Sequence, residues 1–243
     1  MGRIISLDHA DAVLIAAATV ARGDLIVLPT DTVYGVGARL DEAAIERLFV
    51  AKRRPAERAI PVLLADVEDA LRVAREFPAP ARRLAEAFWP DPLTLALPKR
   101  DDLPPNLSML PSVGVRVPDL PQTRAILAAA GGALAVSSAN RSDQPPACTI
   151  QAAMRYLGEA VALYVDGGTC LGGVPSTVVT FEEGELRIVR PGPLSEEALR
   201  AAPVSLVIAE PEKPLSLTAG RRLQLAAEAG RTTGLMLIRQ DAG

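Results

Sequence analysis

The chain has 243 residues, 49% of them apolar, a formal net charge of -3 and a single histidine, His9; that length buries a full core in one large domain, or in one domain with an appendage. Cys148 and Cys170 lack metal-ligand spacing, so a zinc site and a Ser-His-Asp triad are excluded, and the negative charge speaks against a protein that coats nucleic acid, although folding can still assemble a local basic groove. Apolar runs are broken by charge or proline well short of a bilayer span and no signal-peptide pattern opens the chain, so a soluble, cytoplasmic protein without a membrane contact is expected.

Asp8 is expected to cap a first helix, with Val13, Leu14, Ala17 and Val20 on its buried face and Gly23 as its stop. A strand over 25–28 leads into the loop L-P-T-D-T-V-Y-G-V-G (28–37), which carries two threonines, an aspartate, a tyrosine and two glycines. Such hydroxyls either hold the loop together or hold a ligand. Gly35 and Gly37 read as turn glycines, because Leu40 stands where a dinucleotide-binding pattern needs a third glycine. Asp41 then caps a second helix with Ile45, Leu48 and Phe49 as its buried stripe. It ends in A-K-R-R-P, where Pro55 disfavours helical geometry at Arg54.

Strands are predicted at 60–64, 93–97, 113–117, 133–137, 161–165, 176–181 and 186–189, and helices near 66–76, 79–88, 121–130, 149–158 and 195–201. Elements mixed in this way, with some strands joined directly, predict an α/β domain around a twisted mixed sheet with flanking helices. Past Ala202 the pattern changes. E-P-E-K-P (210–214) reads as a linker, flanked by the apolar run V-S-L-V-I and then by a helix near 218–229 and T-G-L-M-L-I. The expected division is a main domain over 1–202 and a short β-α-β extension over 203–243, whose role is not legible.

Four loops rich in hydroxyls, amides or arginine are read as following strands, where open α/β sheets place ligands: 29–35, 52–58, 137–140 and 173–177. Lysine is scarce, with only Lys52, Lys99 and Lys213 among 26 basic residues, which draws attention to Lys52 as a required ammonium. Blander readings stand beside these. Lys52 and Arg54 suit a helix C-terminus through its dipole. Ser138 and Asn140 suit a cap or turn, and Thr32 a hydroxyl turn. Arg116, inside an apolar strand, needs an anion or a paired acid.

In order, P-T-D-T-V-Y-G-V-G, K-R-R-P, W-P-D-P-L-T-L, V-G-V-R-V-P, S-S-A-N-R-S, P-S-T-V-V and I-V-R-P-G resemble the YrdC/Sua5 family, the threonylcarbamoyl-AMP synthases of tRNA modification, over about residues 5–200. The resemblance implies a YrdC-like sheet with a ligand groove. It also implies formation of L-threonylcarbamoyl-AMP and pyrophosphate from L-threonine, bicarbonate and ATP, with Mg2+ delivered with the ATP. The adenylate would pass to a downstream tRNA threonylcarbamoyl-transferase complex, and the basic groove leaves room for weak RNA binding. Carried over, Lys52 and Arg54 match the catalytic K-x-R pair, which also contacts ATP. Arg58, Ser112, Ser138, Asn140, Thr149 and Arg190 match further ATP contacts. Thr32, Leu63, Arg116 and Ser176 match the threonine pocket, with Arg116 on the amino acid's carboxylate. Exchanging Lys52 or Arg54 for alanine is then expected to abolish adenylation and spare the fold.

Several positions depart from the family pattern. Asp91 and Asp143 stand where glycine is usual, and Thr180 where an aspartate is common. Asp143 is expected to point away from a bound triphosphate. Cys148 competes with Thr149 for one ATP-side position; Thr149 is preferred, although it can equally cap the next helix. The tail lacks the tyrosines of the long two-domain members' linker, and closure of the tail over the ATP groove is a testable expectation. Two rivals remain: a carbamoyl-adenylating enzyme using carbamoyl phosphate, and an RNA-binding module, for which 3% aromatic residues offer few stacking platforms.

Overall fold

A computed structural model describes residues 2–182, 185–201, 206–209 and 233–236. The chain divides into two compact units, Met1–Pro193 and Leu194–Gly243. In the first, strands β1 (Arg3–Ser6), β2 (Ile26–Leu28), β3 (Gly35–Ala38), β4 (Val62–Leu64), β5 (Leu93–Pro98), β6 (Ser112–Arg116), β7 (Ala133–Ser138), β8 (Leu163–Asp166), β9 (Thr177–Glu182) and β10 (Glu185–Arg190) form one sheet. Its helices are α1 (Ala12–Ala21), α2 (Glu42–Lys52), α3 (Ala79–Phe88), α4 (Pro121–Ala129) and α5 (Ile150–Leu157). The sheet runs β1-β8-β2-β3-β7-β4-β6-β5-β9-β10 and is mixed: β8 joins β1 and β2 in parallel, and β3 and β7 run antiparallel to their neighbours.

Alternate residues of the strands, such as Ile26 and Leu28, Leu134 and Val136, and Leu163 and Val165, face one core with α1 and α4 residues Ala16, Val20, Ile126 and Leu127. The intervening Val27, Ala135 and Tyr164 are buried as well, so these central strands are covered on both faces, one of them by this apolar helix stripe. Burying each large side chain there contributes about 1.5–3 kcal/mol. Asp41 caps α2 as expected, its Oδ1 accepting from the Ala44 N–H at 2.9 Å, and Ile45, Leu48 and Phe49 are buried.

The structure corrects several local expectations. Asp11 and not Asp8 precedes α1, because residues 3–6 already form β1 and a turn intervenes before Ala12. Val20 is buried and Val13 packs against the core as expected, but Leu14 is 68% exposed, and Ala12, Ala16 and Thr19 complete the buried face. The helix expected over 66–76 is a short 3-10 turn, Val67–Arg72. Gly35 and Gly37 are strand residues of β3, clamped between β2 and β7. A Cβ on Gly35 would lie 2.5 Å from Val136 Cγ1, so close packing and not a turn excludes a side chain there.

The second unit holds α6 (Glu196–Ala201) and a parallel pair, β11 (Leu206–Ala209) with β12 (Thr233–Met236), in which Leu206 aligns with Thr233. The linker expected at 210–214 and the helix expected near 218–229 lie outside the described residues.

Candidate functional site

The loop between β2 and β3 is held by its own hydroxyls. Thr30 Oγ1 donates to the Val33 carbonyl at 2.6 Å and accepts from the Thr32 and Val33 N–H groups, each at 3.2 Å. With that proton placed, the 2.9 Å contact between Thr30 and Thr32 makes the Thr32 hydroxyl the donor. Thr32 then offers only acceptor capacity, and Arg116 Nη1 uses part of it at 2.9 Å. Tyr34 is fully buried; its hydroxyl donates to the Gly168 carbonyl at 2.6 Å and accepts from the Gly167 N–H at 3.1 Å. Burial, with the nearby Asp166 and Cys170 charges and against the Gly167 N–H, pushes its pKa up to about 12. Tyr34 is therefore a neutral strut between loops.

Arg116 ends β6, level with Leu63 of β4 in the parallel register. Three of the five N–H donors of its guanidinium are engaged: Nε donates to the Asp91 carbonyl at 3.1 Å, Nη1 to Thr32, and Nη2 to the Asp31 carboxylate. The arginine an apolar strand could not leave bare has a paired acid, Asp31. Burial draws the Arg116 pKa down, Asp31 and Asp91 act the other way, and Arg190 adds to the lowering. Ser176 lies just before β9, its Oγ 2.8 Å from Thr94 Oγ1. Arg190 forks onto the Ser176 carbonyl with Nε at 3.2 Å and Nη2 at 2.8 Å. Thr32, Leu63, Arg116, Ser176 and Arg190 thus fall into one neighbourhood.

A second group forms around Lys52, the last residue of α2, which is only 1% exposed. Its Nζ donates to the Ser138 carbonyl, to the Asn140 carbonyl at 2.6 Å and towards Asn140 Oδ1 at 3.4 Å. Burial, aided by the Arg54 charge, draws its pKa down to about 7, while three oxygen acceptors favour the ammonium form. Arg54 donates to the carbonyls of Arg58 at 3.1 Å and Ala59 at 2.8 Å, closing the 54–59 loop. Burial lowers its pKa, and the charges of Arg58 and Arg190 lower it further. The charges of Arg58 and Arg190 thus both bear on Arg54, while Arg58 is itself paired with Asp143.

The register explains how Ser112 joins this group. Val115, Val62 and Ala135 form one row across β6, β4 and β7. Ser112 and Ser138 leave that row in the same direction, two strands apart, which is roughly 10 Å. Thr149 caps α5, accepting from the Ala152 N–H at 3.3 Å. Asp143 pairs with Arg58, whose Nη1 lies 3.1 Å from its Oδ1, with both side chains largely exposed. Asp143 holds φ +65°, a left-handed conformation that favours glycine and that aspartate tolerates. The loop at 52–58 follows a helix and is not a strand exit, while the one at 173–177 closes the connection from β8 to β9. Asp31, Thr30, Thr94 and the Asp91 carbonyl were missed as parts of the site; the unpaired Arg116 was the signal that an acid had to lie nearby.

A family model described as telomere recombination, Sua5_yciO_yrdC, matches residues 18–192. A Pyrococcus abyssi protein named threonylcarbamoyl-AMP synthase is 38% identical over 188 residues, covering 76% of this chain and 55% of the relative. A Bacillus subtilis protein of the same name is 34% identical over 189 residues, with coverages of 76% and 55%. The chain thus spans about half the length of these curated relatives. The solved structure of Pyrococcus abyssi Sua5 complexed with L-threonine superposes with a TM-score of 0.76 at 27% identity, covering 95% of this chain and 80% of that one.

Proposed function

The chain belongs to the YrdC/Sua5 family, and from that premise we propose that it joins L-threonine, bicarbonate and ATP into L-threonylcarbamoyl-AMP, releasing pyrophosphate and the water lost when amine and bicarbonate condense to a carbamate. In this reading it is a nucleotidyltransferase whose product serves the N6-threonylcarbamoyladenosine modification at position 37 of tRNA, through a downstream threonylcarbamoyl-transferase complex. The observation that carries the proposal is the placement of Arg190. Its fork holds Ser176, and its charge acts on Arg116 in one group and on Arg54 in the other. A cationic surface therefore joins an amino-acid pocket to a nucleotide groove.

The chemistry requires that junction. A carbamate oxygen attacks the α-phosphorus, the bond to the β-phosphate oxygen breaks, and negative charge grows on the phosphoryl group and on pyrophosphate. Arg54, Arg58 and Arg190 offset that charge, with forked donors suited to phosphate oxygens. Ser112, Ser138, Asn140 and Thr149 line the nucleotide side. Lys52 holds the Ser138–Asn140 turn from beneath. Thr32, Leu63, Arg116 and Ser176 hold threonine, and rate enhancement rests mainly on positioning. Among the described residues no three His, Cys, Asp or Glu side chains gather as a metal cage. Magnesium would arrive with the incoming nucleotide, held by its phosphates and by water.

The test is pyrophosphate release from ATP with and without threonine and labelled bicarbonate. Release that needs both, with label in a threonine-containing adenylate, is the expected result. Release that needs carbamoyl phosphate instead would move the chain to the carbamoyl-adenylating reading. Valine should replace threonine poorly, because a site built to bond a hydroxyl rejects the analogue lacking it by about ten-thousandfold.

A further inference from the structure

The Arg116–Asp31 pair is unlike the other ion pairs among the described residues: its side chains are 5% and 16% exposed, whereas Arg58–Asp143, the other pair at the site, is open on both sides. Asp31 is the more accessible partner. Its Oδ2 takes Arg116 Nη2, and its Oδ1 accepts the Asp119 N–H at 3.1 Å. A substrate carboxylate seeking the forked face of Arg116 meets Asp31 already in place. Nη1 and Nη2 each carry a second N–H besides those given to Thr32 and Asp31, so an incoming carboxylate can bind Arg116 beside the aspartate.

Sharing Arg116 with a second carboxylate would leave the half-buried Asp31 with less than a full counter-charge. An α-amino acid carries the remedy, because its carboxylate and ammonium sit on one carbon. The surroundings suit a cation at that point: Asp91 meets the pair through its carbonyl on Arg116 Nε and Asp119 through its N–H on Asp31 Oδ1, so three aspartates gather about one buried arginine. Thr32 points the same way. Its proton goes to Thr30, so any remaining capacity accepts a hydrogen bond, as an N–H requires.

We propose that Asp31 is the specificity residue for the substrate's α-ammonium: its carboxylate pairs with Arg116 in the empty pocket and accepts the ammonium when the amino acid's carboxylate docks on the further N–H groups of Arg116. The zwitterion then sits against a pair of opposite sign at each end, and both buried charges stay compensated before and after binding. The inference rests on the threonine-pocket reading above and adds to it the recognition of the amino group. It also makes the pocket discriminate against simple hydroxy acids, which supply an anion for Arg116 and nothing for Asp31.

The experiment compares binding of L-threonine and of 3-hydroxybutyrate, which keeps the carboxylate and hydroxyl and lacks the amine, by calorimetry at fixed pH. Wild-type protein should favour L-threonine by more than about tenfold, the scale of a hydrogen bond to a charged group. Asp31→Asn should weaken L-threonine about tenfold to a hundredfold while 3-hydroxybutyrate binds as well or more tightly, because Arg116 is no longer neutralised. Asp31→Glu, which keeps the charge, should retain the preference for threonine. Equal weakening of both ligands in Asp31→Asn would overturn the inference, leaving Asp31 only a support for Arg116. If Asp31→Asn does not fold, the wild-type comparison still decides, since equal affinity for the two ligands refutes an ammonium site. Wild-type protein that binds no L-threonine would overturn the pocket reading itself, and this inference with it.

Discussion

Lys52 places an ammonium where 1% of the residue meets solvent and surrounds it with oxygens of Ser138 and Asn140. Lysine scarcity flagged the residue, but a sequence does not show which carbonyls folding will bring to it. The consequence differs from the expectation that its loss would spare the fold. Lys52→Met keeps the apolar stem and strands buried carbonyls, so it should lower stability by about 1–3 kcal/mol as well as abolish adenylation, measured by thermal unfolding beside pyrophosphate release. Lys52→Arg should not restore turnover, because a planar fork does not reproduce three donors radiating from one nitrogen. An unchanged melting temperature in Lys52→Met would remove the clamp role. Asp31 was illegible for a related reason: P-T-D-T shows an acid, and only the reach of the loop to the end of β6 shows its partner.

At the scale of elements, α2 was readable because its signals are local: Asp41 as cap, a stripe at Ile45, Leu48 and Phe49, and Pro55 beyond its end. Strand β3 was not, because Gly35 and Gly37 have no side chains to alternate, and what defines them is Val136 on a strand distant in sequence. The cap carries a pH signature. Burial pushes the Asp41 carboxyl up, but Arg39 at 2.6 Å, the Ala44 N–H and Arg47 outweigh it and the pKa falls. Its folded value then lies below its unfolded one, so the stabilisation is present above about pH 4 and is lost as pH falls through the folded value. Asp41→Ala should cost about 1 kcal/mol at pH 7, and its melting difference from wild type should shrink by pH 3. A gap that persists at pH 3 would assign the loss to something other than the charged cap.

For the whole molecule, α/β class and a mixed sheet followed from the spacing of apolar runs, whereas strand order did not, since it depends on pairings between distant segments. Global charge misleads in a similar way. A net charge of -3 coexists with Arg54, Arg58 and Arg190 set to act on one another. The two proposed ligands should therefore differ in salt sensitivity. Raising salt from about 50 to 500 mM should weaken nucleotide binding several-fold at the partly open arginines and change threonine binding little, because the Arg116–Asp31 pair is shielded from counterions. Equal salt slopes for both would argue that one surface binds both. The strand order has a further bearing, on how the chain reaches this state. Only β2–β3, β5–β6 and β9–β10 join strands consecutive in the chain, so hairpins cannot assemble the sheet. The edge strand β1 must wait for β8, where Arg3 finds Leu163, before it has any ladder to join. Such distant closures put refolding of the first unit on the milliseconds-to-seconds scale, and during synthesis the opening strand stays unpaired until β8 has left the ribosome.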